Sequence, residues 1–184
     1  MASGTQEKTK LKEKKPNMKN QKRSVLFLAQ GAIIAAMYVA LTLVSNAFGL
    51  ASGVIQVRIS EALTILPYFT PAAIPGLFVG CLVSNILAGG VIWDVIFGSL
   101  ATLIGAVATY WLRRIKGLAP VPPIVSNMLI IPFVLRYAYG APDAIWFMMV
   151  TVGAGELISA GVLGMLLLLA LDRHRDAIFN NNMQ

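Results

Sequence analysis

Uncharged, uniformly apolar stretches dominate the chain: Ser24–Val57, Ala62–Trp93, Val95–Leu112 and Leu157–Leu171 contain no Asp, Glu, Lys or Arg. A helix of about 20 predominantly apolar residues crosses the hydrocarbon core of a bilayer. Without water there, a spanning backbone must satisfy its polar groups within helices or a closed barrel. A barrel strand shows alternation over segments of about 10 residues, and no such alternation is present. The pattern therefore predicts helices over Val25–Ala47, Trp93–Leu112, Pro122–Tyr139 and Ala144–Leu171. The stretch Ile55–Ala88 differs, because Pro67, Pro71 and Pro75 fall near its middle. Proline removes a helix donor and clashes with the preceding turn. Pro67–Pro75 thus reads as a break, giving either one kinked span or a hairpin of two short ones.

Charge separates these alternatives. Lys and Arg are enriched in cytoplasmic loops. Eight of the 15 basic residues lie between Lys8 and Arg23, a further cluster is Arg113, Arg114 and Lys116, and Arg173 and Arg175 follow the last span. Two short crossings in Ile55–Ala88 put all of these on the cytoplasmic side. One crossing puts Arg113–Lys116 outside. The expectation is an all-α integral membrane protein: a compact bundle of about six transmembrane helices, the second and third short, with both termini cytoplasmic in a multi-pass cell-membrane topology. Residues 1–23 form a basic cytoplasmic tail expected to be disordered, residues 24–172 the membrane domain, and residues 173–184 a cytoplasmic tail.

Composition agrees, with 57% hydrophobic and 12% charged residues, against about 45–50% and about 25% in soluble domains. The net charge of +7 is concentrated in the tail, which suits solvent or anionic headgroups and is not a nucleic-acid signal. No G-x-x-x-x-G-K-[ST] phosphate loop occurs, so the chain carries no recognisable ATPase. His174 and Cys81 are the only histidine and cysteine, too few ligands for a buried transition-metal site. No nucleophile–base pair stands out, and no cofactor is implied. Binding and translocation fit better than an enzyme.

The polar groups left inside the spans are the candidate binding residues. Glu156 lies deep in the last span, where a carboxylate costs about 2.5–3.5 kcal/mol and usually faces a cavity or partner. Arg58 and Glu61, three apart, share a helix face near the outer end and form either an ion pair or a ligand contact. Asn85 and Asn127 serve as helix–helix contacts or ligand donors. Asp94 suits a helix N-terminus. Trp93, Tyr137 and Trp146 are either interfacial anchors or stacking faces. Ala32, Ala36 and Ala40 recur every four residues on the first helix and permit close approach of another helix, in this chain or another.

The segments VRISEALTILPYFTPAAIPGLFVGCLVSNILAGG (Val57–Gly90), DVIFGSLATLIGA (Asp94–Ala106), LAPVPPIVSN (Leu118–Asn127) and VGAGELISAGVLG (Val152–Gly164) resemble the QueT family. The resemblance covers nearly everything from Ser24 to Leu171. It implies a six-helix S component of an energy-coupling factor transporter that captures queuosine precursors, which are 7-deazaguanine compounds, from outside. It also implies a separate membrane scaffold subunit and two cytoplasmic ATPases as partners, with Ala32, Ala36 and Ala40 matching the A-x-x-x-A pattern that faces the scaffold. The ligand site is an inference from chemistry. A deazaguanine edge carries an N–H and an NH₂ side by side, which a carboxylate accepts, so Glu156 or Glu61 suits it. Asn85, Asn127 or Arg58 suits the neighbouring carbonyl, the aromatic residues could stack, and a cationic aminomethyl group would favour Asp94 or Asp143. An S-type subunit for another vitamin-like solute, a self-sufficient secondary transporter and a ligand-free scaffold remain as alternatives.

Overall fold

The computed structural model describes residues 18–51 and 55–174, so most of the expected tails lie outside the described residues. The elements are α1 (Met18–Ala47), a 3-10 helix (Ile59–Tyr68), α2 (Ala73–Leu87), α3 (Ile92–Trp111), a 3-10 turn (Lys116–Leu118), α4 (Val121–Tyr137) and α5 (Ile145–Glu156). A π-helical segment (Leu157–Leu163) then joins α5 without interruption to α6 (Gly164–Asp172). The all-α expectation holds. Helix α1 begins at Met18 rather than Val25, so residues 18–23 of the expected tail are helical.

Four helical stretches are long and apolar enough to cross a membrane: Gln21–Ala47, Ile92–Trp111, Lys116–Tyr137 and Ile145–Asp172. Helix α2 is apolar but only 15 residues long. The chain between α1 and α2 forms a 3-10 helix of 10 residues. At a rise of about 2.0 Å per residue, it covers about 20 Å, less than the hydrocarbon thickness of about 30 Å. The break between these two short elements falls at Phe69–Ala72, within the interval that the prolines mark.

The 3-10 helix forms the centre of the bundle, with Ser60 to Pro67 buried without exception. Leu63, Ile65 and Leu66 join Ile34, Tyr38, Leu77 and Leu168 in the apolar core. Bare backbone lets its neighbours approach. A Cβ on Gly164 would sit 3.1 Å from Ile65 and 3.4 Å from the Ala62 carbonyl. A Cβ on Gly76 would lie 2.6 Å from the Gly31 carbonyl, and one on Gly80 would lie 2.8 Å from the Tyr38 Cβ. The pairing of 31 with 76 and 38 with 80 sets α1 and α2 parallel. On the other side, a Cβ on Gly105 of α3 would strike Pro123 of α4 at 2.8 Å.

At one end of the bundle, a Lys116–Asp172 ion pair of 2.5 Å ties the α3–α4 connection to the end of α6. It is the only ion pair among the described residues. Arg113, Arg114 and Arg173 flank it. The opposite end, where α1, α2 and α4 finish and α3 and α5 start, holds the cavities described next.

Candidate functional site

The approach to the 3-10 helix is fixed by hydroxyl groups. The backbone N–H of Ile59 donates to Ser45 Oγ of α1 at 2.9 Å, and that of Arg58 donates to Ser159 Oγ of the π segment at 3.2 Å. Thr42 Oγ1 bonds to Ser60 Oγ at 2.8 Å. Gly155 lies so close to this entry that a Cβ there would fall 2.0 Å from the Gln56 carbonyl oxygen. These contacts seat Gln56, Arg58 and Glu61 against the last span at Glu156.

A small cavity of about 30 Å³ results, lined by Gln56, Arg58, Glu61, Cys81, Gly98, Thr102, Asn127, Ile131, Val152 and Glu156. It has room for a water-sized group. Both carboxylates are buried, Glu61 at 2% and Glu156 at 9% exposure. Each has one oxygen engaged: Tyr38 donates its hydroxyl to Glu61 Oε1, and Asn127 Nδ2 donates to Glu156 Oε1 at 2.8 Å. The second oxygen of each, Oε2, is buried with no hydrogen-bond partner. Leaving a buried polar atom unpaired costs about 1–3 kcal/mol, and more for a charged group. Both residues line the same small cavity. Among the described residues Arg58 and Glu61 form no direct ion pair, and both line this cavity.

A second cavity of about 520 Å³ lies towards the helix ends, lined by Gln56, Arg58, Asn85, Gly89, Gly90, Asp94, Ile131, Tyr139 and neighbours. Its size is that of small-molecule sites, about 300–1,000 Å³. Gln56, Arg58 and Ile131 line both spaces. Tyr139 donates to Asp94 Oδ2 at 3.0 Å and accepts from the Val91 N–H at 3.3 Å. Burial, and then the Asp94 carboxylate, push its phenol above the usual tyrosine range, which keeps the donor protonated. Asn85 Nδ2 reaches the Asp94 carbonyl at 3.4 Å.

The structure thus brings Arg58, Glu61, Asn127 and Glu156 to the small cavity, and Arg58, Asn85 and Asp94 to the large one. It does not bring Trp93, Tyr137 or Trp146 to either. These are 54%, 79% and 69% exposed, respectively. Trp93 stacks on Phe97 at 6.0 Å and, with Tyr137, borders an apolar groove of about 630 Å³ between α3 and α4. Asp143 is exposed. Ala32, Ala36 and Ala40 are exposed on α1, and among the described residues no helix covers that stripe.

Sequence reasoning missed Tyr38, Gln56, Thr102 and Ser159. A signal for the first existed: Tyr38, Thr42 and Ser45 are spaced four and three apart, which places three polar residues on one helix face. All three are buried. Cys81 accepts from Thr102 Oγ1 at 3.4 Å beside the small cavity.

Comparison with known proteins follows this geometry. The family model described as QueT transporter matches residues 28–173. A protein of Lactococcus lactis subsp. cremoris named Queuosine precursor transporter QueT is 40% identical over 74 residues. That match takes in 40% of this chain and 43% of the relative's length. No solved structure is similar to the chain.

Proposed function

The chain belongs to the QueT transporter family, and on that premise we propose that it is the substrate-capture subunit of an ATP-driven importer for a 7-deazaguanine queuosine precursor. The observation that carries the substrate class is the pair of buried carboxylates, each with an unpartnered oxygen at one cavity. A deazaguanine edge presents adjacent N–H and NH₂ donors, and bonds from them to a carboxylate belong to the stronger, charge-assisted class. Arg58 lines the same space and suits the ring carbonyl. The 520 Å³ cavity supplies the volume of a bicyclic base. The relative's name, with its queuosine precursor, points the same way.

In this reading the protein is inserted with both termini in the cytoplasm. The 3-10 helix and α2 make two short crossings, which completes six. The basic residues Arg113, Arg114, Lys116 and Arg173 then lie inside, and the large cavity opens outwards. The exposed stripe Ala32, Ala36 and Ala40 is the docking face for a membrane scaffold subunit, and two cytoplasmic ATPases supply the energy. The test is calorimetric titration of the purified protein with 7-deazaguanine. Saturable binding that guanine-unrelated vitamins do not compete with is expected. Absence of saturable binding would overturn the reading, and uptake into vesicles without ATPase or scaffold subunits would transfer it to secondary transport.

A further inference from the structure

Asp94 is a buried carboxylate without a counter-charge among the described residues. It stands in the first turn of α3 and is 7% exposed. Its side chain sits where the two cavities meet. A Cβ on Gly98, which lines the small cavity, would lie 3.4 Å from Asp94 Oδ1. A Cβ on Gly90, which lines the large one, would lie 3.4 Å from Asp94 Oδ2. Tyr139 donates to Oδ2 at 3.0 Å. Among the described residues no hydrogen bond reaches Oδ1, and no basic side chain forms an ion pair with this carboxylate. Around the two spaces stand three carboxylates, Glu61, Asp94 and Glu156, and one cationic side chain, Arg58. Buried charges are ordinarily paired. The start of a helix offsets part of one negative charge, and a phenol adds a neutral hydrogen bond, but neither is a full counter-charge. We propose that Asp94 is a specificity residue that holds a protonated amine of the substrate in the large cavity.

This deepens the reading above and rests on it, because it commits the precursor to a cationic arm. An arm on the five-membered ring of a 7-deazaguanine is remote from the N–H and NH₂ edge. With that edge at Glu61 and Glu156, the arm extends into the large cavity. Gln56, Arg58 and Ile131 line both spaces, so one ligand can span them. A carboxylate offers about four acceptor positions, so Tyr139 holds Asp94 in place without competing with an amine for it. Asp143, the other carboxylate suited to such a group, is exposed and lines neither cavity. A neutral arm of the same shape would fill the space and leave the Asp94 charge unpaired.

The test is calorimetric titration of the full chain with 7-aminomethyl-7-deazaguanine and 7-hydroxymethyl-7-deazaguanine. These ligands share one shape and differ by an ammonium in place of a hydroxyl. The unaltered protein should bind the ammonium ligand at least about tenfold more tightly, the effect of a hydrogen bond between charged groups. Asp94→Asn keeps an acceptor for Tyr139 and removes the charge. It should abolish the preference, weakening the ammonium ligand about tenfold and the hydroxyl ligand less than twofold. Asp94→Ser also removes the charge and carries the same expectation should Asp94→Asn protein not fold. Asp143→Asn should leave the preference intact. A merely structural Asp94 would lower affinity for both ligands alike, and that result would overturn the assignment. Equal binding of the two ligands by the unaltered protein would overturn it too, as would loss of the preference in Asp143→Asn. Failure of the unaltered protein to bind these ligands or 7-deazaguanine would instead remove the substrate reading itself.

Discussion

Gly155→Ala gives the sharpest test of how the site is built. A methyl group at this position would lie 2.0 Å from the Gln56 carbonyl oxygen and 3.0 Å from its carbon. Real Cβ contacts essentially never fall under 3.0 Å, so one backbone must retreat by about 1 Å. The obstacle is main chain, which cannot rotate aside as a flexible side chain does. Overpacking of this kind costs about 1–3 kcal/mol. The displaced segment carries Arg58, whose N–H bonds to Ser159, and leads into Ser60 and Glu61. Loss of that seating should lower ligand affinity as well as stability. Gly117→Ala is the matched control, because a Cβ there meets nothing within 4 Å. The assay is thermal unfolding in detergent together with 7-deazaguanine titration. Gly155→Ala should lose several degrees of thermal stability and about tenfold in affinity, while Gly117→Ala should match the parent in both. Parental stability and affinity in Gly155→Ala would refute the argument that Gln56 and Gly155 form an unyielding backbone contact.

Further outcomes are expected. Glu156→Gln places an amide where an acceptor stood, and affinity for 7-deazaguanine should fall at least about tenfold in correctly folded protein; unchanged affinity there and in Glu61→Gln would reject recognition through carboxylates. Ala36→Leu should impair copurification with the scaffold and ATPases, and with it transport, while leaving calorimetric affinity near parental, because its position is exposed on α1; normal assembly would remove the stripe as docking face. In Cys81→Ser protein, cysteines at Gly90 and Gly140 should react with an impermeant reagent from outside and one at Lys116 should not, and labelling at Lys116 would end the six-crossing topology.

Much of the architecture was legible in the sequence because the bilayer imposes it. Charge-free length marked the long helices, and Pro67–Pro75 marked the interruption between the short ones. The form of the second element was not legible. Ile59–Tyr68 has the same apolar character whether its hydrogen bonds run three or four residues, so no pattern in the sequence separates the two forms. The depth of Glu156 could be read from its position, but its partner Asn127 lies 29 residues away on another helix, a pairing that no local pattern encodes. A tyrosine within a span resembles an interfacial anchor; the companions Thr42 and Ser45 on the same face distinguish Tyr38. Conversely, Trp93, Tyr137 and Trp146 carry the right rings for stacking, yet sequence position cannot tell a ring turned towards lipid from one turned inwards.

The π segment bears on how the last span tolerates insertions and deletions. Each i→i+5 hydrogen bond encloses one residue more than an α-helical bond, so Leu157–Leu163 carries surplus chain within the continuous helix Ile145–Asp172. Deleting one residue inside it lets the helix close in α form, with α5 and α6 still in phase with their neighbours. Deleting one residue elsewhere in the span turns everything beyond it by about 100° and carries Gly164 away from Ala62 and Ile65. Length variation in this span should therefore concentrate at Leu157–Leu163, and a shortened variant should keep its fold while moving Ser159 relative to Glu156.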